Sequence, residues 1–442
     1  MQAGGLFTYM KKYFVVLAGL LLLGSTAFAQ EEKPSKFKLY GFIRNYMVVD
    51  SREVNGGTHD LYYYMPKDIA PGENGVDLND GFNWKFVSLT TRVGLDASGY
   101  KIGKLGISGK VEADFYSLNG TGTASTIAQF RLRQAYMALE PELENSKLVL
   151  NLGQTWHPMG ADLPNCINLE SGAPFGPFNR SPQLMAHWTK GSWTLTGGAL
   201  YLSQYLPMDA EAGAKSVAPF RYGFPELYAG ITFKKGPVVA KLGVDNTLTR
   251  PVRKDGTAKV NSLMEALSGF AYLQYTKGLF QIKAKAAYAQ SGEQLNILSG
   301  YGIAAYDASK HSFQYTPMQD LTSFVSFQYG KKFQVMGMVG YMKHLGTTQD
   351  LMADAAVVNK SWADGGNLWI NTAAAANIQQ AVRVTPTLVW NIGKFQLGLE
   401  YDFTYAQFGN SGASRGIRGL YTDADTHWLG NHRFLCMTKF NF

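Results

Sequence analysis

Arg131 and Arg133 stand two positions apart in Arg131-Leu132-Arg133, so on an extended strand both guanidinium groups leave the same face. Two planar, permanently charged forks side by side suit bidentate capture of a carboxylate. A second stretch with chemical content is "GQTWHPMGADLPNCINLESGAPFGPFNR", Gly153 to Arg180. It follows an alternating segment, then loses periodicity while carrying Trp156, His157, Asp162, Cys166, Glu170 and Arg180. Gly160, Gly172 and Gly176 with Pro158, Pro164, Pro174 and Pro177 allow this stretch to pack tightly without regular structure.

Catalytic and metal signatures are weak. In Gly99–Gly106, "GYKIGKLG", only three residues separate Gly99 from Gly103 and Leu105 follows the lysine, which breaks the P-loop pattern. "GNSGA", Gly409 to Ala413, misses the spacing of a nucleophile elbow. His427 and His432, five apart, point to opposite faces of a strand, and there is no H-E-x-x-H and no Cys/His group with zinc spacing. Cys166 and Cys436 do not make a disulfide framework. The sequence therefore reads as a non-enzyme, with no cofactor and no metal.

The elements that must position these residues begin after an export signal. Lys11 and Lys12 form a charged region, Tyr13 to Gly24 an apolar run of about a dozen residues, and Ala27-Phe28-Ala29 a cleavage site. Residues 1–29 are expected to be a signal peptide, of which 10–29 is the true signal, and the mature chain starts at Gln30. Its removal takes two lysines and no acid, leaving 39 basic against 33 acidic side chains and a net charge of +6. That excess is too small to argue for nucleic acid. No later segment approaches the roughly 18 consecutive apolar residues of a spanning helix, but alternating strands hide a lipid face from any hydropathy average.

Alternation is what the chain shows. Trp193, Leu195, Gly197, Ala199 and Tyr201 share one face of their segment. The same pattern recurs in Phe280, Ile282, Ala284, Ala286 and Tyr288, in Phe333, Val335, Gly337, Val339 and Tyr341, and in Phe395, Leu397, Leu399, Tyr401 and Phe403. In each, aromatics bracket an apolar stripe eight positions long, which spans roughly 27 Å of strand, or about 21 Å along the axis of a tilted barrel. That is close to the apolar band of roughly 25 Å between the aromatic girdles of outer-membrane barrels.

Read in this way, the chain predicts sixteen strands: Phe37–Val49, Phe82–Ala97, Leu105–Ser117, Ile127–Leu139, Lys147–Gln154, Pro182–Thr189, Ser192–Ser203, Pro225–Lys234, Val238–Thr249, Leu263–Thr276, Leu279–Gln290, Leu321–Tyr329, Phe333–Lys343, Gln379–Asn391, Lys394–Ala406 and Gly430–Phe442. Links after even-numbered strands are short and turn-like, as in Lys190-Gly191, Lys277-Gly278 and Ile392-Gly393. Most links after odd-numbered strands are long, including Ser51–Gly81, Thr155–Ser181, Ser291–Asp320, His344–Ile378 and Gln407–Leu429. The fold class expected is all-β: a transmembrane antiparallel up-and-down β-barrel of 16 strands, with short periplasmic turns and long extracellular loops. Residues 30–442 then form one domain in the outer membrane of a Gram-negative bacterium, and its final strand ends in the aromatic Phe440 and Phe442.

If the apolar stripes face lipid, the alternate positions face the lumen. The inward basic residues are then Lys38, Arg44, Arg92, Lys110, Arg131, Arg133, Lys241, Lys283, Lys285, Arg383, Arg433 and Lys439. The inward acids are Asp96, Glu112, Asp114, Asp245, Glu400 and Asp402, half as many, so the lumen is expected to be net basic and to concentrate anions. Arg44, Arg92, Arg131, Arg133, Lys283, Lys285, Arg383 and Arg433 are the candidate pore-lining cations. Residues 155–181 form the third outward loop. By its similarity to sixteen-stranded porins, this loop is expected to fold inward and narrow the channel through Trp156, His157, Asp162, Glu170 and Arg180, with Asp162 and Glu170 facing the wall of Arg44, Arg92, Arg131 and Arg133.

Four stretches in order, "TRVGLDAS" (Thr91–Ser98), "GKVEADFY" (Gly109–Tyr116), "FRLRQAYMAL" (Phe130–Leu139) and "LNLGQTWHP" (Leu150–Pro158), resemble the DcaP-like outer-membrane porins. The likeness covers roughly Thr91 to Trp188; elsewhere only barrel architecture is shared. It implies a homotrimer of sixteen-stranded barrels in outer-membrane lipid, each passing small anionic or polar solutes such as dicarboxylates, with Arg131 and Arg133 lining the channel and Arg92 nearby. Two departures stand out: Gln30 to Ser35 is far too short for the N-terminal coiled coil of some lineages, and His157-Pro158 follows the G-Q-T-W stretch. A barrel that only displays its loops, as an adhesin or assembly scaffold, and an outer-membrane hydrolase are the other readings.

Overall fold

A computed structural model describes residues 36–57, 61–116, 128–169, 172–353, 367–370 and 377–442. The expected signal peptide and Glu170 lie outside the described residues. Sixteen antiparallel strands form a closed barrel: β1 (Lys36–Asp50), β2 (Arg92–Ile102), β3 (Leu105–Tyr116), β4 (Gln129–Pro141), β5 (Lys147–Trp156), β6 (Arg180–Lys190), β7 (Trp193–Leu200), β8 (Glu226–Lys235), β9 (Val238–Thr249), β10 (Met264–Lys277), β11 (Phe280–Gln290), β12 (Ser312–Gly330), β13 (Phe333–Thr347), β14 (Ile378–Ile392), β15 (Phe395–Gly409) and β16 (Thr426–Asn441). Each pairs with its sequence neighbours, and β16 returns to β1 in a register running from Phe42 opposite Asn441 to Asp50 opposite Arg433. Closure leaves no sheet edge, which a hydrocarbon environment demands because lipid offers no hydrogen-bond partner.

The outward face is the apolar one. Phe37, Trp193, Phe333, Leu388 and Phe434 are each at least half exposed on the barrel exterior, a surface that water would penalise at roughly 25 cal/mol per Å² and that lipid accepts. The inward face of the barrel carries Arg44, Asp245, Lys285, Arg383, Glu400 and Arg433, all buried. At the short turns Gly191, Gly278 and Gly393 adopt φ near +60°, the left-handed geometry that a two-residue hairpin requires.

Two strands differ from the sequence expectation. The expected second strand is split into Asn83–Val87 and Arg92–Ile102. Both halves pair with β1, and between them Thr90 takes a φ of 66°. The break turns hydroxyls toward the neighbouring strand: Thr91 Oγ1 accepts from the Arg44 backbone N–H, and Thr90 Oγ1 accepts from Arg44 Nη2 at 2.7 Å. The twelfth strand starts at Ser312 rather than Leu321, because Gly300–Asp307 pairs with its outer end and extends the wall into the preceding loop. Periodicity inside a loop of mixed composition gave no signal for that hairpin.

Between β5 and β6 the chain turns into the barrel. Met159 and Phe175 are fully buried there, although they belong to a connection. A Cβ built on Gly340 of β13 would collide with the Phe175 side chain, so the wall is hollowed where the loop lies against it.

Candidate functional site

The strand register assembles the site on one wall. Arg92 lies opposite Asp114, and Asp114 opposite Arg131, so three adjacent strands put alternating charges at one level. A register shift at Glu112/Ala113 sets Gln134 beside Glu112 and keeps Arg131, Arg133 and Gln134 on the lumen face. The Arg131 guanidinium donates through a parallel fork to Asp114, Nε to Oδ1 and Nη2 to Oδ2, both at 3.0 Å. Arg133 donates from Nη1 to the same Asp114 at 2.7 Å and from Nε to Glu112 Oε1 at 2.8 Å. Arg92 Nη1 lies 3.6 Å from Glu112 Oε1. The carboxylates that the arginine pair captures are thus the protein's own.

Arg180 completes the wall. Its guanidinium sits 4.9 Å from the Trp156 ring centroid and 5.1 Å from that of Phe178, and its Nη1 is buried with no hydrogen-bond partner among the described residues. Among the described residues, the guanidinium groups of Arg44, Arg92, Arg131, Arg133 and Arg180 gather on this wall with the carboxylates of Glu112 and Asp114.

The inward loop is tethered mostly to strands away from this wall. Asp162 Oδ1 accepts from Lys241 Nζ on β9 at 2.7 Å. Lys283 donates to the Leu163 carbonyl at 3.0 Å, and Lys285 donates to the Met159 carbonyl. Thr322 bonds the Pro174 carbonyl and Arg383 that of Ala173, while the Glu400 carboxylate accepts the backbone N–H groups of Ile167 and Asn168 at 2.7 and 3.0 Å. The Tyr46 hydroxyl on β1 donates to the Ile167 carbonyl. Wall side chains thereby satisfy backbone groups that have no secondary structure to pair them.

What remains open is small. A cavity of about 70 Å³ is lined by Arg44, Arg92, Arg131 and Arg133 on the wall, Leu163, Leu169 and Phe178 on the loop, and Trp156 at the end of β5. Tyr62, from a hairpin after β1, and Tyr205, from the connection after β7, cover it, with Tyr205 donating to the Tyr62 hydroxyl at 3.0 Å. Burial pushes both hydroxyls above their ordinary range, so they stay protonated. A larger space of about 560 Å³ is lined by the charged Asp162, Lys234 and Lys241, by amides and hydroxyls such as Asn151, Gln183, Thr194 and Thr232, and by the rings of Trp156, Phe270 and Tyr272.

Several expected site residues sit elsewhere. Asp162 faces Lys241 and not the arginine wall, because the loop hugs the far side of the lumen. Lys283, Lys285 and Arg383 are committed to loop carbonyls instead of lining an opening. Arg433 is fully buried in a two-pronged bridge with Asp50 and serves the β1–β16 seam. Arg180 belongs to the wall as the first residue of β6, and His157 is fully buried with Nε2 2.9 Å from Glu226 Oε1. Cys166 is a buried free thiol inside the barrel and Cys436 a free thiol on the outward face. Tyr62 and Tyr205 were not expected; aromatic residues in long loops carry no local signal that they turn inward.

A closed sixteen-stranded barrel with an apolar belt, a charged lumen and an inward third loop defines a porin-type barrel of the bacterial outer membrane. No protein-family model matches the sequence, and no curated relative matches it. Among solved structures the chain is similar to the outer-membrane channel DcaP of Acinetobacter baumannii, at 17% identity and a TM-score of 0.59, over 94% of this chain and 100% of that one. It is also similar to an anion-selective porin from Comamonas acidovorans, at 11% identity and a TM-score of 0.51, over 92% of this chain and 100% of that one. The chain has a DcaP-like porin fold.

Proposed function

We propose that the protein is a passive channel that admits small anionic solutes such as dicarboxylates, works as a homotrimer in outer-membrane lipid, and performs no catalysis. The observation that carries this reading is the cluster of four guanidinium groups, those of Arg44, Arg92, Arg131 and Arg133, that lines the small cavity between the inward loop and the barrel wall. An entering carboxylate would meet these guanidinium groups, with the Tyr62 hydroxyl beside them as a neutral donor. The porin from Comamonas acidovorans, whose barrel is similar, is anion-selective.

Tyr62, Phe178 and Tyr205 cover this cavity of about 70 Å³, so a passing dicarboxylate would move along their side chains. None of the three is part of a barrel strand. Liposome swelling tests the reading: vesicles containing the mature protein should swell faster in small dicarboxylates than in cationic solutes of the same size. A sealed barrel that only displays its loops gives no swelling in either.

A further inference from the structure

At the neck of the inward loop four side chains from four segments meet out of contact with solvent: His157 at the loop start, Glu226 on β8, Asp245 on β9 and Gln294 in the connection after β11. All four are at most 2% exposed. Ligating atoms of His157, Glu226 and Asp245 lie within 4.8 Å of one another, and Gln294 Nε2 is 3.5 Å from Asp245 Oδ2. Two carboxylates in such a place need a proton or a cation between them, and among the described residues no lysine or arginine forms an ion pair with either one.

His157 does not supply it. Its Nδ1 accepts the Met159 backbone N–H at 3.1 Å, so in the neutral ring the hydrogen is on Nε2, which donates to Glu226 Oε1. The imidazole thus orients Glu226 rather than offering a free nitrogen. Three oxygens are then left with no donor among the described residues: Glu226 Oε2, Asp245 Oδ1 and Gln294 Oε1. One shared proton would serve the two carboxylates but not the amide oxygen. With the Gln294 amide turned so that Oε1 takes the place of Nε2, 3.5 Å from Asp245 Oδ2, a cation would serve both carboxylates and the amide.

We infer that Glu226, Asp245 and Gln294 form a binding site for a hard divalent cation such as Ca²⁺ or Mn²⁺, with His157 as the positioning residue for Glu226. An all-oxygen donor set selects hard cations over Zn²⁺ or Cu²⁺. The site ties the two ends of the loop together. His157 begins it, its backbone N–H bonds the Asn179 carbonyl at 3.0 Å, and the Asn179 side chain donates to the Gln294 backbone carbonyl. Bound cation therefore clamps the neck of the segment that crosses the lumen, independently of which solute passes.

Tb³⁺, an oxygen-seeking stand-in for Ca²⁺, tests the inference, because the Tyr228 ring 6.4 Å from that of His157 is placed to sensitise its luminescence. The mature barrel is refolded after chelation in the presence of Tb³⁺. The expected result is sensitised emission that Ca²⁺ displaces, that the double variant Glu226→Gln, Asp245→Asn loses, and that Asp162→Asn, a lumen carboxylate outside the cluster, retains. Heat-resistant mobility on a gel confirms that the double variant has refolded. Absence of emission from the wild-type barrel, emission unchanged in the double variant, or displacement by Zn²⁺ but not by Ca²⁺ would each overturn it.

Discussion

Arg131 holds Asp114 in a two-pronged bridge across the β3–β4 ladder, Nε to Oδ1 and Nη2 to Oδ2, each at 3.0 Å. Asp114 is fully buried, and Arg133 also donates to it. The bridge decides how the arginine wall must be probed. Reversing Arg131 and Arg133 to glutamate would bury four carboxylates together and unfold the wall before any selectivity is read.

Removing the acid is more informative. Asp114→Asn takes one negative charge from the wall and leaves two guanidinium groups short of a partner. Breaking one side of a buried bridge costs about 3–5 kcal/mol. The variant should unfold at lower denaturant concentration than wild type, while the pores that do form should be more anion-selective in planar bilayers.

Arg180→Met has the opposite pattern. The guanidinium makes no hydrogen bond through Nη1 and packs on Trp156 and Phe178, contacts that a methionine side chain keeps. Stability should stay within about 1.5 kcal/mol of wild type. Anion selectivity, read as the zero-current potential across a salt gradient, should fall.

The Asp162–Lys241 tether holds the loop away from the arginine wall. The pair is partly exposed, so Lys241→Met should cost no more than about 1 kcal/mol of stability. Freed from it, the loop should fluctuate, and single-channel records should show more frequent current steps. Deleting part of Asp162 to Gly176 should raise the conductance outright.

Cys166 reports on the loop directly. Burial raises its thiol pKa well above the ordinary value, so the reactive thiolate is suppressed in the folded barrel. Maleimide should label it slowly in the detergent-solubilised Cys436→Ser protein and rapidly after unfolding. Gly340→Val, whose side chain collides with Phe175, should dislodge the loop and speed labelling of the folded form. An unchanged rate would mean that the loop has another way to lie.

The strands were legible because lipid outside and water inside impose strict alternation, and every barrel strand falls near its expected bounds apart from the break at Thr90 and the outer end of β12. The wall of the site was legible for the same reason: Arg44, Arg92, Arg131 and Arg133 sit on inward positions of regular strands. The path of the loop was not. Asp162 pairs with Lys241 through a contact 79 residues away in sequence, and nothing in the local pattern of Gly153–Arg180 distinguishes the two walls of the barrel. The inward turn of Tyr62 and Tyr205 was hidden likewise, since an irregular loop has no period to betray the face it buries.

The most direct measurement is the zero-current potential of the wild-type mature protein in a planar bilayer under a potassium chloride gradient. A potential of anion-selective sign, reduced in Arg180→Met, is the expected result. A potential of cation-selective sign would contradict an anion path along the wall of Arg44, Arg92, Arg131, Arg133 and Arg180.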